Sequence, residues 1–353
     1  MGTWNARWRQ RVHRYGRRAS IAAIGIVLAV ELIGAGSTRA VAQKPELVPV
    51  RWGGTISIEL ETPLFVAMHQ GYFAEEGLKI DNVMLAPGPR VREALATNEL
   101  DFGDVGTFTY IVGRRKNLPQ RVILEYYTKE IFSLFVPVSH TDEIRTVSDL
   151  KGRKIVVTAL GSSSHMAALS FIRKAGLKDT DVTFVGINSA DPAVWVTAFK
   201  SGDFAAGVVW EPISTFLLDR KEAVALIDVR NPAAHEKWIG KTAASMVLST
   251  SERMIEKNPS TVQHAINAIK KALAYIRGHS ASDVAEAAAP GFKMDVNTLT
   301  RILVPIKENF SKDGAISRSG IGVEVGLALT GGVLKKALPF EDMVDTRFAG
   351  STQ

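Results

Sequence analysis

From about Val48 the chain alternates short apolar runs with stretches of helical periodicity, the punctuation of an α/β fold. Residues 50–52, 80–85, 154–158, 182–185 and 205–210 read as strands. Between them 63–70, 89–97, 165–174 and 192–201 read as helices, with Thr62 as N-cap and Pro63 at the first position of the earliest, and Gly71, Gly176 and Gly202 as stops. Glu59 and Glu61 then fall in the loop ahead of that first helix. Residues 94–103 and 198–207 echo each other, each reading helix, turn, inner strand, which predicts two similarly built lobes. Two extended runs, 132–138 and 245–250, lie where one lobe gives way to the other and are read as paired crossover strands acting as a hinge. The expected division is 43–137 with 245–353 for the first lobe, which takes the C-terminal helices, and 138–244 for the second. Among those helices 259–277 carries Val262, Ile266, Ile269, Leu273 and Ile276 on one face, as a helix packed on a core requires.

Of 353 residues 46% are hydrophobic and 22% charged, which excludes intrinsic disorder. The net charge of +7 is concentrated in residues 1–42, which hold seven arginines and one acid, Glu31, so the rest is close to neutral and no nucleic-acid partner is expected. That segment reads as an export signal: arginines, an apolar run over 21–33, then small residues ending at Ala42, where cleavage is expected. The run is shorter than the roughly 20 residues of a membrane-spanning helix. Arg17-Arg18 leaves the general secretory and twin-arginine routes both open. No cysteine occurs, which removes disulfides, cysteine nucleophiles and a lipid-modified cysteine together; a periplasmic, non-lipidated product follows as the expectation. The seven histidines include no pair spaced for one helix face, and no P-loop, dinucleotide or G-x-S-x-G motif occurs, so no metal, cofactor or catalytic residue is expected.

The strongest candidate for binding is Gly161-Ser162-Ser163-Ser164-His165, set between a strand and a helix. Helix starts carry roughly half a positive charge and free N–H groups, so three hydroxyls there favour an oxyanion, although one serine would suffice for capping. Gly88 and Arg90 open a helix, and Gly106 and Thr107 follow a strand, all at the strand ends where open α/β sheets bind ligands. Arg90 suits a bidentate counter-charge; the competing reading is a solvated first-turn arginine beside Glu93. Glu59, Glu61 and Thr62 either face the pocket, where the acids would favour a ligand with donors, or cap the following helix. Trp210-Glu211 closes the last strand, where an indole either covers a ligand or packs in the core.

The segments 71–78, 93–103, 147–154, 161–165 and 210–212 resemble the periplasmic substrate-binding proteins of transporters for aliphatic sulfonates, taurine and nitrate, a family that extends to binders of thiamine-pyrimidine precursors. The resemblance runs from about Val50 to Ile227. It implies a two-lobe periplasmic binding protein type II fold with two hinge crossovers, a monomer that clamps a small molecule and delivers it to an ABC permease with its ATPase subunits. It also implies that the 161–165 turn holds the ligand's oxyanion and that Trp210-Glu211 stands where the family has a Trp-Asp pair. The stretch 58–62 is longer than the family's usual loop, and 104–109 departs from the sulfonate-type loop, so the ligand's identity stays open. Two enzymes share the outline, a pyrimidine-precursor synthase and a desulfinase, and both need cysteines absent here. An exported enzyme of the same fold is the alternative function.

Overall fold

The computed structural model describes residues 46–353; the expected export segment lies outside the described residues. The first sheet is built from β1 (Val48–Gly54), β2 (Leu78–Met84), β3 (Phe102–Gly106), β4 (Gln120–Tyr127) and, from much later in the chain, Met246–Ser251. The second contains β5 (Ser133–Pro137), β6 (Lys154–Val157), β7 (Thr183–Gly186), β8 (Ala206–Val209) and β9 (Ala223–Ile227). With Met246–Ser251 as β10, the orders are β2-β1-β3-β10-β4 and β7-β6-β8-β5-β9. In each sheet the first three strands are parallel and the fourth runs antiparallel to both neighbours. The sheets therefore share one plan, with β5 holding in the second the place that β10 holds in the first. This is the expected two-lobe α/β fold.

The expected boundary at 137 is corrected. Residues 133–137 pair with β8 and β9, and Leu134, Phe135 and Val136 are fully buried in the second lobe, so the chain has already crossed. The two runs read as hinge strands are members of separate sheets, and the lobes are joined by the segments just before them, 128–132 and 239–245. These links lie side by side: Ala243 N–H donates to Thr128 O at 2.9 Å, and the Ser245 hydroxyl donates to Lys129 O. His235 fixes the first link by accepting the Glu130 N–H at 2.9 Å on Nε2 while its Nδ1 faces Gly240 O at 2.7 Å.

The echo has a physical origin at both ends. Asn98 and Gly202 occupy the left-handed region, with φ of 60° and 69°, where each helix turns into its strand. Five residues on, Gly103 and Gly207 lie under their own helices: a Cβ would stand 2.5 Å from Leu95 in one lobe and 2.7 Å from Phe199 in the other. Each lobe thus needs a turn-former and then a residue without a side chain.

The first helix is Ile58–His69, with Ser57 at the N-cap position, and not 63–70 as the proline implies. Pro63 sits inside it and deprives the Glu59 carbonyl of its i+4 donor. Burial of Ile58 and Leu60 offsets that lost bond, so the helix begins more than a turn earlier than Pro63 signals. Glu59, Glu61 and Thr62 are consequently buried helical residues, not loop residues. The helix Pro259–Gly278 buries Val262, Ile266, Ile269, Leu273 and Ile276 completely, as its periodicity required. Arg318–Thr330 packs against helices of both lobes, Thr107–Arg115 and Ser163–Lys174. Among the described residues no helix is long and apolar enough to cross a membrane.

Candidate ligand-binding cleft

Loops after the carboxyl ends of β1, β2, β3, β6, β7 and β8 converge between the lobes on a cavity of about 40 Å³. Four helices begin at its wall: Ser57, Pro87, Gly106 and Ser162 are their N-caps, and all four residues line the cavity. First-turn N–H groups have no partner within their own helix, so the wall concentrates donors and positive dipole ends without a cation. Among the described residues the lining contains no charged side chain; its polar members are Thr55, Ser57, Thr109, Thr158, Ser162, Ser163 and Ser164.

The three serines do different work. Ser162 caps the helix, accepting from His165 N–H at 3.3 Å, and Ser164 accepts from Thr158 N–H at 2.9 Å. Together with Thr158 Oγ1 their hydroxyls form a closed triangle with edges of 2.7–2.9 Å. Ser163 instead crosses the cleft: its Oγ accepts the Thr109 N–H at 3.3 Å and lies 3.2 Å from the Thr109 hydroxyl in the other lobe. Gly106 makes that approach possible, since a Cβ there would fall 2.2 Å from Ser163 Oγ. On the far side of the first helix's start, Trp210 Nε1 donates to Ile56 O at 2.9 Å and Ile58 N–H donates to Glu211 O at 3.3 Å. Both pairs join the lobes, so the cleft is closed.

Of the fourteen residues singled out from the sequence, Gly88, Gly106, Ser162, Ser163, Ser164 and Trp210 line the cavity. The others do not. Arg90 is exposed on an outer groove with Glu93 and Thr97, because its helix turns Val91, Ala94 and Leu95 inward. The arginine that does point inward is Arg92, which donates to Thr109 O at 3.4 Å behind the cavity wall. Thr107 is tied to the returning link through Ala244 O and Ser245 O. Gly161 takes φ of 78° in the turn, and its N–H is accepted by His165 Nδ1 at 3.1 Å, while burial lowers the His165 pKa. The Thr62 hydroxyl donates to Ile58 O. Sequence reasoning missed Thr55, Thr109 and Thr158, each within three residues of a strand's carboxyl end. It also missed Phe132 and Met246, whose only signal was the apolar run around each.

The acids lie behind the wall. Glu59 accepts the Ser57 hydroxyl at 2.8 Å and is pushed up to about 8, by burial first and then by the charge of Glu211 across the lobe boundary. Glu211 is held by Arg230 at 2.5 Å. Burial alone would lower the Arg230 guanidinium, but Asp228 and Glu211 more than reverse this. Beneath the first helix Asp104 accepts from Trp52 Nε1 at 2.5 Å and Tyr126 OH at 2.6 Å, and burial raises it to about 7. Glu61 is fully buried with neither oxygen hydrogen-bonded, and burial and Asp104 raise it well above the carboxylate range.

The family described as "NMT1/THI5 like" matches residues 61–282, from the first helix through both links and the long helix Pro259–Gly278 to the start of the helix Ala281–Phe292. The chain belongs to the NMT1/THI5-like family. A protein of Bacillus subtilis (strain 168), named for aliphatic sulfonates binding, is 26% identical over 299 residues, covering 82% of this chain and 85% of that protein. The alkanesulfonate-binding protein SsuA from Xanthomonas axonopodis pv. citri, solved bound to MOPS, shares the fold with a TM-score of 0.67 and 20% identity, over 84% of this chain and 98% of its own. The desulfurization enzyme DSZB shares it at a TM-score of 0.60 and 17% identity, over 85% and 97%. This NMT1/THI5-like chain therefore has the periplasmic binding protein fold, which hosts both binders and an enzyme.

Proposed function

We propose that the chain is the extracytoplasmic solute-binding component of an ABC importer, which closes its lobes on a small organic oxyanion, a sulfonate foremost, and presents it to a membrane permease coupled to ATPase subunits. The observation that carries this reading is the convergence of four helix starts and seven hydroxyl residues on one cavity closed by contacts between the lobes. The names of the relatives support the sulfonate class, and the signal-like N-terminus supports export to the periplasm, after which the protein works as a monomer.

The test is calorimetric titration of the mature chain with propane-1-sulfonate, nitrate and sulfate, with mass spectrometry of the ligand after incubation. Saturable binding of an oxyanion that is recovered intact is the expected result; an altered ligand would make the chain an exported enzyme of the same fold. Scattering should give a smaller radius of gyration with ligand than without, because two rigid lobes rotate about the links 128–132 and 239–245.

The serines separate binding from folding. Ser163→Ala should weaken the ligand about tenfold or more, as one hydrogen bond at a charged group is lost, with little change in melting temperature. Ser162→Ala should lower stability by about 1 kcal/mol through the cap. Unchanged affinity in Ser163→Ala would remove the lobe-spanning hydroxyl from the mechanism.

A further inference from the structure

We propose that the cleft selects an oxyanion whose tail is uncharged and discriminates against a zwitterion of the same size. The inference rests on the reading of the cleft as an oxyanion site and concerns the ligand's other end. Apart from the hydroxyls and two glycines the wall is apolar, with Leu60, Ala86, Phe132, Ala190, Trp210 and Met246 among its members. The Trp210 N–H is already given to Ile56 O, so the indole offers the ligand ring surface only.

An ammonium group carried into such a wall sheds its hydration and needs a carboxylate in return. Six acids lie nearby, and each is engaged or withdrawn: Glu130 accepts the Ile131 and Phe132 N–H groups at 2.7 and 3.2 Å, and Asp191 accepts the Ala193 N–H at 2.8 Å as the cap of the helix after Ala190. Glu211 is paired with Arg230 at 2.5 Å, and Asp104 takes the Trp52 and Tyr126 donors. Glu59 takes the Ser57 hydroxyl, and Glu61 is sealed beneath the first helix beside Asp104. None of the six lines the cavity. A cation–π contact from Phe132 or Trp210 recovers only part of the lost hydration. A methyl at the same place loses nothing by burial and gains contact with the apolar wall.

Propane-1-sulfonate and taurine form the deciding pair, because they differ only by a terminal methyl in place of an ammonium. Titrated into the full mature chain at pH 7, propane-1-sulfonate should bind at least about thirtyfold more tightly than taurine. Ala190→Asp, which sets a carboxylate in the wall, should narrow or reverse that ratio, with Ala86→Asp as the second variant should the first fail to fold. Equal affinities, or a preference for taurine, would overturn the tail selectivity while leaving the oxyanion reading intact. Failure of every sulfonate, nitrate and sulfate to bind would overturn the oxyanion reading, and the selectivity with it.

Discussion

Replacing Arg230 with leucine is expected to cost roughly 3–5 kcal/mol of stability at pH 8, because it strands a buried charge. Glu211 is 2% exposed and its Oε1 lies 2.5 Å from the guanidinium; its other oxygen accepts only the Thr215 N–H at 3.2 Å. Asp228 would lose its two-pronged contact, at 2.7 and 2.8 Å, in the same step. Glu59 stands across the lobe boundary and adds repulsion. The double replacement Arg230→Leu with Glu211→Leu should recover much of the loss, since it removes the stranded charge as well as its partner. Urea unfolding of the parent, both single variants and the double variant closes the cycle. A single-variant cost below about 1 kcal/mol, or no recovery in the double, would mean that the pair is solvated in practice.

Stability should fall as the pH is raised from 6 to 8.5. Glu59 is pushed up to about 8, Asp104, Glu125 and Glu130 to about 7, and Glu61 and Glu324 well above the ordinary carboxylate range, in every case by burial first. In the unfolded chain these groups return to 4.5 or 3.8, so between the two limits the folded protein holds more protons. Their stabilisation is therefore complete below about pH 4 and is lost as the pH climbs through 7 and 8. His235, lowered to about 4 by burial, works in the opposite sense but only below its ordinary 6.5, which leaves the upper window to the acids. A difference of one proton is worth about 1.4 kcal/mol per pH unit, so a fall of at least about 5 °C in melting temperature is expected over this range. Scanning calorimetry at fixed ionic strength measures it. A flat or rising melting temperature would show that the carboxyls are ionised and hydrated in the folded chain.

Strand and helix order was legible because each parallel strand is a short apolar run and each helix keeps its period. The echo even marked the two glycines that lie under helices. Local signals failed where packing overrode them. Pro63 carries the signature of a helix start, yet the buried faces of Ile58 and Leu60 outweigh the one hydrogen bond that it forfeits. Run 132–138 reads as extended, but which sheet it joins depends on partners some seventy to ninety residues further on, and no local pattern encodes them. In the site, the serine turn could be read because hydroxyls at a helix start have a chemical meaning by themselves. Thr109 and Ser163 meet only when the lobes close, and sequence spacing holds nothing of that meeting. Arg90 suits an anion by its charge alone; the helix phase that turns Val91 and Leu95 inward decides otherwise.

The exchange of β5 and β10 fixes an order of assembly. The second sheet draws all its strands from 133–227, so that lobe can complete itself as soon as this contiguous stretch is available. The first cannot. β10 lies between β3 and β4, which leaves the earliest-made half of the protein with a gap in its sheet until Ser251 has been synthesised. Closing that gap joins residues more than a hundred positions apart, a slow step that leaves the facing edges of β3 and β4 unpaired in the meantime. The lobe that begins the chain is thus the last to be finished, and a nascent molecule spends that interval with its more vulnerable half open.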